Sequence, residues 1–325
     1  MLLSSKFTGS VYVLVRQESG LTMDGRQMRF DNQQIVISGA AKGLGRHYAL
    51  ALAQRGATLI LIDELSVNAP EVIELVLKIK ALGSQAHYFE QSFLALTQAD
   101  ELVSKIVAIS PHIDVLINGA SLDYYSDFNQ LDPAKWQQQW QTTVNFSLLL
   151  THGLWPVMKA QDYGRVLMLT NISGLYGSDH SVALSSANMA LLGMVNSLAI
   201  EGEQSNIHVN SLCALAVTEV PEKHLAARVR PIFGTETPIA AMLFLVSTRA
   251  PSGQHLLAAA GSISRGTFAE YASEYFFAEE CTPEIIASRW RHPKTCRLLE
   301  VHTSAESKIS AWSFRGAKEH NIKLV

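Results

Sequence analysis

This chain of 325 residues is first narrowed by what it lacks. Its three cysteines, Cys213, Cys281 and Cys296, are odd in number and far apart, which excludes a disulfide framework and gives no metal-ligand spacing. It has no run of Lys or Arg. Its 26 basic and 29 acidic side chains leave a net charge of -3, so neither a nucleic acid nor an anionic membrane is expected as a partner. No apolar run approaches the roughly 18 residues that a membrane span needs. The opening stretch MLLSSKFTGSVYVLVRQESG is a poor secretory signal, because its apolar VYVLV is short and Arg16 comes directly after it. These absences lead to the expectation of a cytoplasmic protein that meets small or neutral ligands.

The chain has enough apolar residues, 48% of the total, to bury a sizeable core. Residues 1–29 share no pattern with the rest of the chain and read as an extension or an over-read start, since MRFDNQQIVISGA from Met28 looks like a natural beginning. From there apolar runs alternate with amphipathic segments. The runs IVIS (35–38), TLILI (58–62), AHYF, DVLIN, RVLMLT (165–170), IHVNSL and HLLAAA predict strands. Helices are expected over 43–55, 71–82, 98–109 and 182–203, with a longer one ending near WPVMKA. This rhythm predicts an α/β fold, a doubly wound parallel sheet of about seven strands over 30–265. Residues 266–325 turn to aromatic and charged helical pieces with a polar tail and are expected to form a helical appendage.

ISGAAKGLGR directly follows the first predicted strand and opens a helix, with Gly39, Gly43 and Gly45 at the turn. Glycines there let a backbone approach a pyrophosphate, while the helix N-terminus supplies N–H donors and the positive end of its dipole. An acid about twenty residues on, Asp63 in LILIDE, falls where a dinucleotide's ribose needs it. A carboxylate at that place accepts from both ribose hydroxyls and repels a 2′-phosphate, which favours NAD over NADP. Lys42 argues the other way, since a cation beside the loop suits a phosphate. The competing reading is that the glycines only make a tight turn and Asp63 only ends a strand.

SGAAKGLGRHYALALAQRGATLILID, DVLINGAS, YGRVLMLTNISGLYG and NSLAIEGEQSNIHVN together resemble the short-chain dehydrogenase/reductase family. GLGRHYALA, SGLYG, LAIEGEQSNIHVN and TPEIIASRW (282–290) resemble more narrowly the (3R)-hydroxyacyl-CoA dehydrogenase units of multifunctional β-oxidation enzymes and their free-standing bacterial relatives. The resemblance implies a Rossmann sheet, NAD(P)(H), and hydride transfer between the nicotinamide and an alcohol or carbonyl carbon. It implies cofactor contacts from Ser38, Gly39, Lys42, Gly43, Leu44, Gly45, Asp63, Asn118, Ala120 and Thr218. Two positions depart from the family: Ser92 replaces an aspartate against the adenine, and Ala214 replaces a proline near the nicotinamide.

The same resemblance places the family's catalytic tyrosine and lysine at Leu184 and Asn188, its serine at Asn171 and its asparagine at Thr143. Asn145 could reclaim the last role only through a two-residue deletion. A phenol with its ordinary pKa of about 10 needs a nearby cation to work at neutral pH, and neither partner is present. Tyr124, Tyr125 and His180 are possible replacement donors, although loop aromatics and a His at a helix start are more often structural. Ser185 and Ser186 have no base positioned by the sequence.

On the helix over 182–203, Leu184, Ala187, Leu191, Val195 and Leu198 form an apolar stripe. Ser186, Ala190, Gly193 and Ser197 form a second stripe of small residues, a surface that another helix can approach closely. The sequence supports three readings. One is a non-catalytic homologue that binds NAD(H), with a possible small-molecule or acyl-CoA-like ligand, in a homo-oligomer or in a hetero-oligomer with an intact dehydrogenase. The second is an active NAD-dependent oxidoreductase on a 3-hydroxyacyl-CoA, a steroid or a similar alcohol, with a relocated proton donor. The third is a purely structural oligomer without a ligand.

Overall fold

The computed structural model describes residues 27–219, 227–228, 230–271, 274–289 and 299–301. Most of the expected N-terminal extension and of the polar tail lies outside the described residues. The order of elements is β1 (Gln34–Ser38), α1 (Gly43–Ala53), β2 (Thr58–Asp63), α2 (Pro70–Ala81), β3 (Ala86–Glu90), α3 (Ala99–Ile109) and β4 (Val115–Asn118). There follow α4 (Pro133–Trp140), α5 (Phe146–Ala160), β5 (Gly164–Thr170), the short α6 (Ile172–Tyr176), α7 (Val182–Glu201) and β6 (Ile207–Leu215). The chain continues with α8 (Glu236–Leu245), β7 (His255–Ala259), β8 (Ser262–Gly266), β9 (Glu270–Tyr271), α9 (Pro283–Arg289) and β10 (Leu299–Glu300).

Strand periodicity builds three layers. Ile35 and Ile37 of β1, with Leu59 and Leu61 of β2, face a core shared with Tyr48 and Leu52 of α1, Leu75 and Ile79 of α2, and Met242 and Leu245 of α8. Val36, Ile60 and Ile62 point the other way, against Leu102 and Ile106 of α3, Phe146, Leu150 and Leu154 of α5, and Leu191 and Val195 of α7. Central strands that are buried on both faces read as unbroken apolar runs, which is why the sequence shows them so plainly.

The sheet runs β3-β2-β1-β4-β5-β6-β7-β8, parallel through β7. Strand order reverses between β1 and β4, whose last residues Ser38 and Asn118 are paired. A crevice opens at such a switch point, beyond the carboxyl ends of the strands. The eighth strand exceeds the expected number by one. It pairs antiparallel with β7 through a two-residue turn in which Ala260 and Gly261 both have positive φ, 48° and 76°. Beyond it, the described residues hold the two-stranded antiparallel pair β9–β10 and the helix α9.

α7 departs from the expectation about apolar runs. At 20 residues, with a mean hydropathy of 1.4 over an 18-residue window, it is long and apolar enough to cross a membrane by length and composition. Interspersed Ser and Asn hide this in the sequence. The helix instead lies on the sheet, with Leu184, Ala187, Leu191 and Val195 buried as the first stripe predicts and Leu198 partly buried against the same core. On the other side a Cβ on Gly193 would meet nothing within 4 Å. Leu191→Ala should therefore cost about 2–5 kcal/mol in urea unfolding. Gly193→Ala in the monomer should be neutral or add up to about 1 kcal/mol through helix propensity. The opposite order would mean that α7 is turned the other way.

Candidate functional site

The turn after β1 is shaped by close backbone crossings. Ser38 is fully buried, and its Oγ accepts from the N–H groups of Gly119 (3.1 Å) and Ala120 (3.3 Å), tying the turn after β4 to β1. Gly39 has φ +68°, and a Cβ there would stand 2.6 Å from the Gly119 carbonyl oxygen. A Cβ on Gly45 would stand 2.0 Å from that of Gly39. These two glycines are thus required by the chain's own packing. Gly43 opens α1 with φ +57°, and Leu44 packs on the core beneath.

Carboxylates gather around this loop. Asp63, at the end of β2, accepts from Ala41 N–H at 2.9 Å and from Leu65 N–H at 3.3 Å. Lys42 is exposed, its Nζ 3.9 Å from Glu71. Gly43 N–H donates to Glu219 Oε1 at 2.8 Å, a contact across 176 residues that sequence reasoning missed and no local pattern announces. Glu64 is a second residue that was missed: its Oε1 accepts from Ser92 Oγ at 3.3 Å and Phe93 N–H at 3.0 Å, so Ser92 holds a carboxylate in place.

On the far side of the switch point Asn118 is almost wholly buried. Its Nδ2 donates to Thr151 Oγ1 at 3.0 Å, while its Oδ1 is buried without a partner. Ala120 is buried beside it; Thr218 and Ala214 are partly buried beyond β6 and at its end. The residues fit a dinucleotide: an N–H at the start of α1 already donates to an anionic oxygen, an acid ends β2, and a buried acceptor is unused.

The four positions that the resemblance assigns to catalysis lie around the start of α7. Leu184 is fully buried, and Asn188 is buried one turn later. The carboxamide of Asn188 is used at both ends: Oδ1 accepts from Asn171 N–H at 2.7 Å, and Nδ2 donates to the Leu184 carbonyl at 2.9 Å. Asn171 caps α6, its Oδ1 accepting from both the N–H and the Oγ of Ser173 at 3.0 Å. Thr143 sits in a π-helical turn (Gln141–Asn145) between α4 and α5; its Oγ1 accepts from Gln139 Nε2 at 2.9 Å. Asn145 ends that turn, partly buried. Three of the four are therefore brought together, but as a hydrogen-bonded joint with no group that titrates near neutral pH.

The candidate replacement donors each have partners of their own. Tyr124 Oη accepts from Asp132 N–H at 2.9 Å, with Lys135 Nζ 5.8 Å from the ring centre. Tyr125 also has a partner. His180, at φ +56°, sets Nδ1 2.6 Å from Asp127 and Nε2 3.2 Å from Asp179, so both ring nitrogens face carboxylates. Tyr176 is 74% exposed. Tyr48, inside α1, has a hydroxyl buried without a partner, and burial raises its pKa far above the usual phenol range. Burial likewise pushes the nearby Cys213 thiol up to about 12, so neither group ionises near neutral pH. Among the described residues no group of three or more His, Cys, Asp or Glu could hold a metal ion.

The model of the short chain dehydrogenase family matches residues 33–225. The peroxisomal multifunctional enzyme type 2 of Mus musculus is 31% identical over 201 residues, covering 60% of this chain and 27% of the mouse protein. The peroxisomal multifunctional enzyme A of Dictyostelium discoideum is 25% identical over 293 residues, covering 87% of this chain and 65% of that protein. This chain thus spans less than two thirds of either relative. The full-length peroxisomal multifunctional enzyme type 2 from Drosophila melanogaster matches in structure with a TM-score of 0.73 at 23% identity, over 90% of this chain and 50% of that one, a likeness of fold. The sheet order, the glycine turn at its switch point and the family match over residues 33–225 agree: this chain belongs to the short chain dehydrogenase family.

Proposed function

We propose that this protein is a short chain dehydrogenase homologue that binds NAD(H) but has given up the proton-transfer step, and that it acts as a subunit or ligand-responsive partner. The observation that carries this reading is the joint at Asn188. Where the family resemblance calls for a phenol and an ammonium group, the chain has a buried leucine and a carboxamide whose two ends are already bonded. A hydride leaving or reaching an alcohol carbon must be matched by a proton at its oxygen. Losing the group that moves it removes about 10²- to 10⁴-fold in rate.

When bound, the dinucleotide would supply the hydride. The start of α1 would face its pyrophosphate, Asp63 would accept from its ribose hydroxyls, and Asn118, Ala120 and Thr218 would line the nicotinamide side. Asp63 also sets the preference for NAD(H), because a 2′-phosphate beside it brings like charges together.

Assembly is the second part of the proposal. Ser186, Gly193 and Ser197 are exposed along α7, flanked by Val182 (47% exposed) and Met189 (49%), with Leu148 of α5 (46%). A charge-free strip of small and apolar side chains supports close helix packing against a second copy, or against an intact dehydrogenase that supplies active sites.

Three measurements check these statements. NADH should bind at least about tenfold more tightly than NADPH in fluorescence titration, and Asp63→Ala should narrow the gap. Equal affinities in the wild type contradict the role given to Asp63. Purified protein should show no NAD-linked turnover above background with 3-hydroxyacyl-CoAs or secondary alcohols; turnover abolished by Tyr124→Phe or Tyr125→Phe would establish a relocated donor instead. Light scattering should show an oligomer that Gly193→Arg disrupts. A monomeric wild type, or an assembly indifferent to that change, refutes the α7 interface.

A further inference from the structure

Two N–H donors of the glycine-rich loop are taken up by the chain's own acids. Ala41 N–H donates to Asp63 and Gly43 N–H to Glu219, while Lys42 stands near Glu71. Two of these acids come from neighbouring elements: Asp63 ends β2, and Glu71 lies in the first turn of α2. Glu219 does not. It follows Thr218 in the segment after β6, is exposed, and reaches across the crevice to the first residue of an 11-residue helix.

The first N–H groups of a helix have no partner inside it and lie at the positive end of its dipole, so an anionic oxygen is favoured there. A pyrophosphate at this switch point would draw on the same donors. Gly43 N–H cannot serve two acceptors at full strength, and a carboxylate a few Å from a pyrophosphate repels it.

We propose that Glu219 is an internal competitor of the cofactor: its carboxylate occupies the phosphate position on α1 and has to leave before a dinucleotide can seat. The inference rests on the reading that the protein binds NAD(H).

The test is titration of the full-length wild type, Glu219→Gln and Glu219→Ala with NADH and with ADP-ribose, which carries the pyrophosphate but no nicotinamide, with circular dichroism to confirm that all three are folded. Both variants should bind both ligands about 3- to 10-fold more tightly than the wild type, with Glu219→Ala at least as tight as Glu219→Gln. Unchanged or weaker binding overturns the competitor role and leaves the cofactor reading standing. Absence of binding to all three proteins overturns both. Tightening for NADH but not for ADP-ribose also overturns the proposal, because the competition would then lie away from the pyrophosphate.

Discussion

A carboxamide at the buried start of α7 has to find partners, because leaving it unpaired there costs about 1–3 kcal/mol. Asn188 finds them in two pieces of backbone, the Asn171 N–H just past β5 and the carbonyl of Leu184 one turn back. The joint is close-packed as well as bonded. A Cβ on Gly174 of α6 would stand 2.8 Å from the Asn188 Cβ, so α6 and α7 meet with no room to spare. The place that the family resemblance gives to proton transfer is here a structural fastening between the sheet and the 20-residue α7. An ammonium group at 188 could donate to the Leu184 carbonyl but could not accept from the Asn171 N–H.

Residues on the cofactor side differ in how directly they speak to a ligand. Gly39 and Gly45 are demanded by crossings of the chain with itself, so their presence is explained by the fold whether or not a dinucleotide binds. Asp63, the unused Oδ1 of Asn118 and the carboxylate of Glu219 on Gly43 N–H bear more directly on ligand binding. A site can keep its cradle because the cradle is also architecture. The positions that the resemblance gives to the tyrosine, lysine and serine hold Leu184, Asn188 and Asn171.

Legibility in the sequence divides along the same physical lines. β1, β2, β5 and β6 were legible because both faces are buried and their residues are unbroken apolar runs, and the glycine turn was legible because its spacing is local. β8 was missed because SISRG is polar and exposed, and its pairing depends on positive φ at Ala260, which alanine does not advertise. The spanning length of α7 was hidden by its Ser and Asn residues. In the site, the positions of Leu184, Asn188 and Asn171 came from resemblance, but their mutual bonding did not. Glu219 and Glu64 were invisible because each acts on a backbone N–H far along the chain, and an acid beside a threonine or an aspartate carries no mark of that.

The central claim is that the dinucleotide cradle remains while hydride transfer has lost its proton partner. It is tested most directly by incubating the purified protein at high concentration with NADH deuterated at the nicotinamide C4 and a 3-ketoacyl-CoA, then examining the acyl-CoA by mass spectrometry. The account predicts that NADH is bound and that no deuterium is found in a 3-hydroxyacyl-CoA product. Stoichiometric appearance of the deuterated alcohol would contradict it, since the chain would then be moving a proton by a group other than those at 143, 171, 184 and 188.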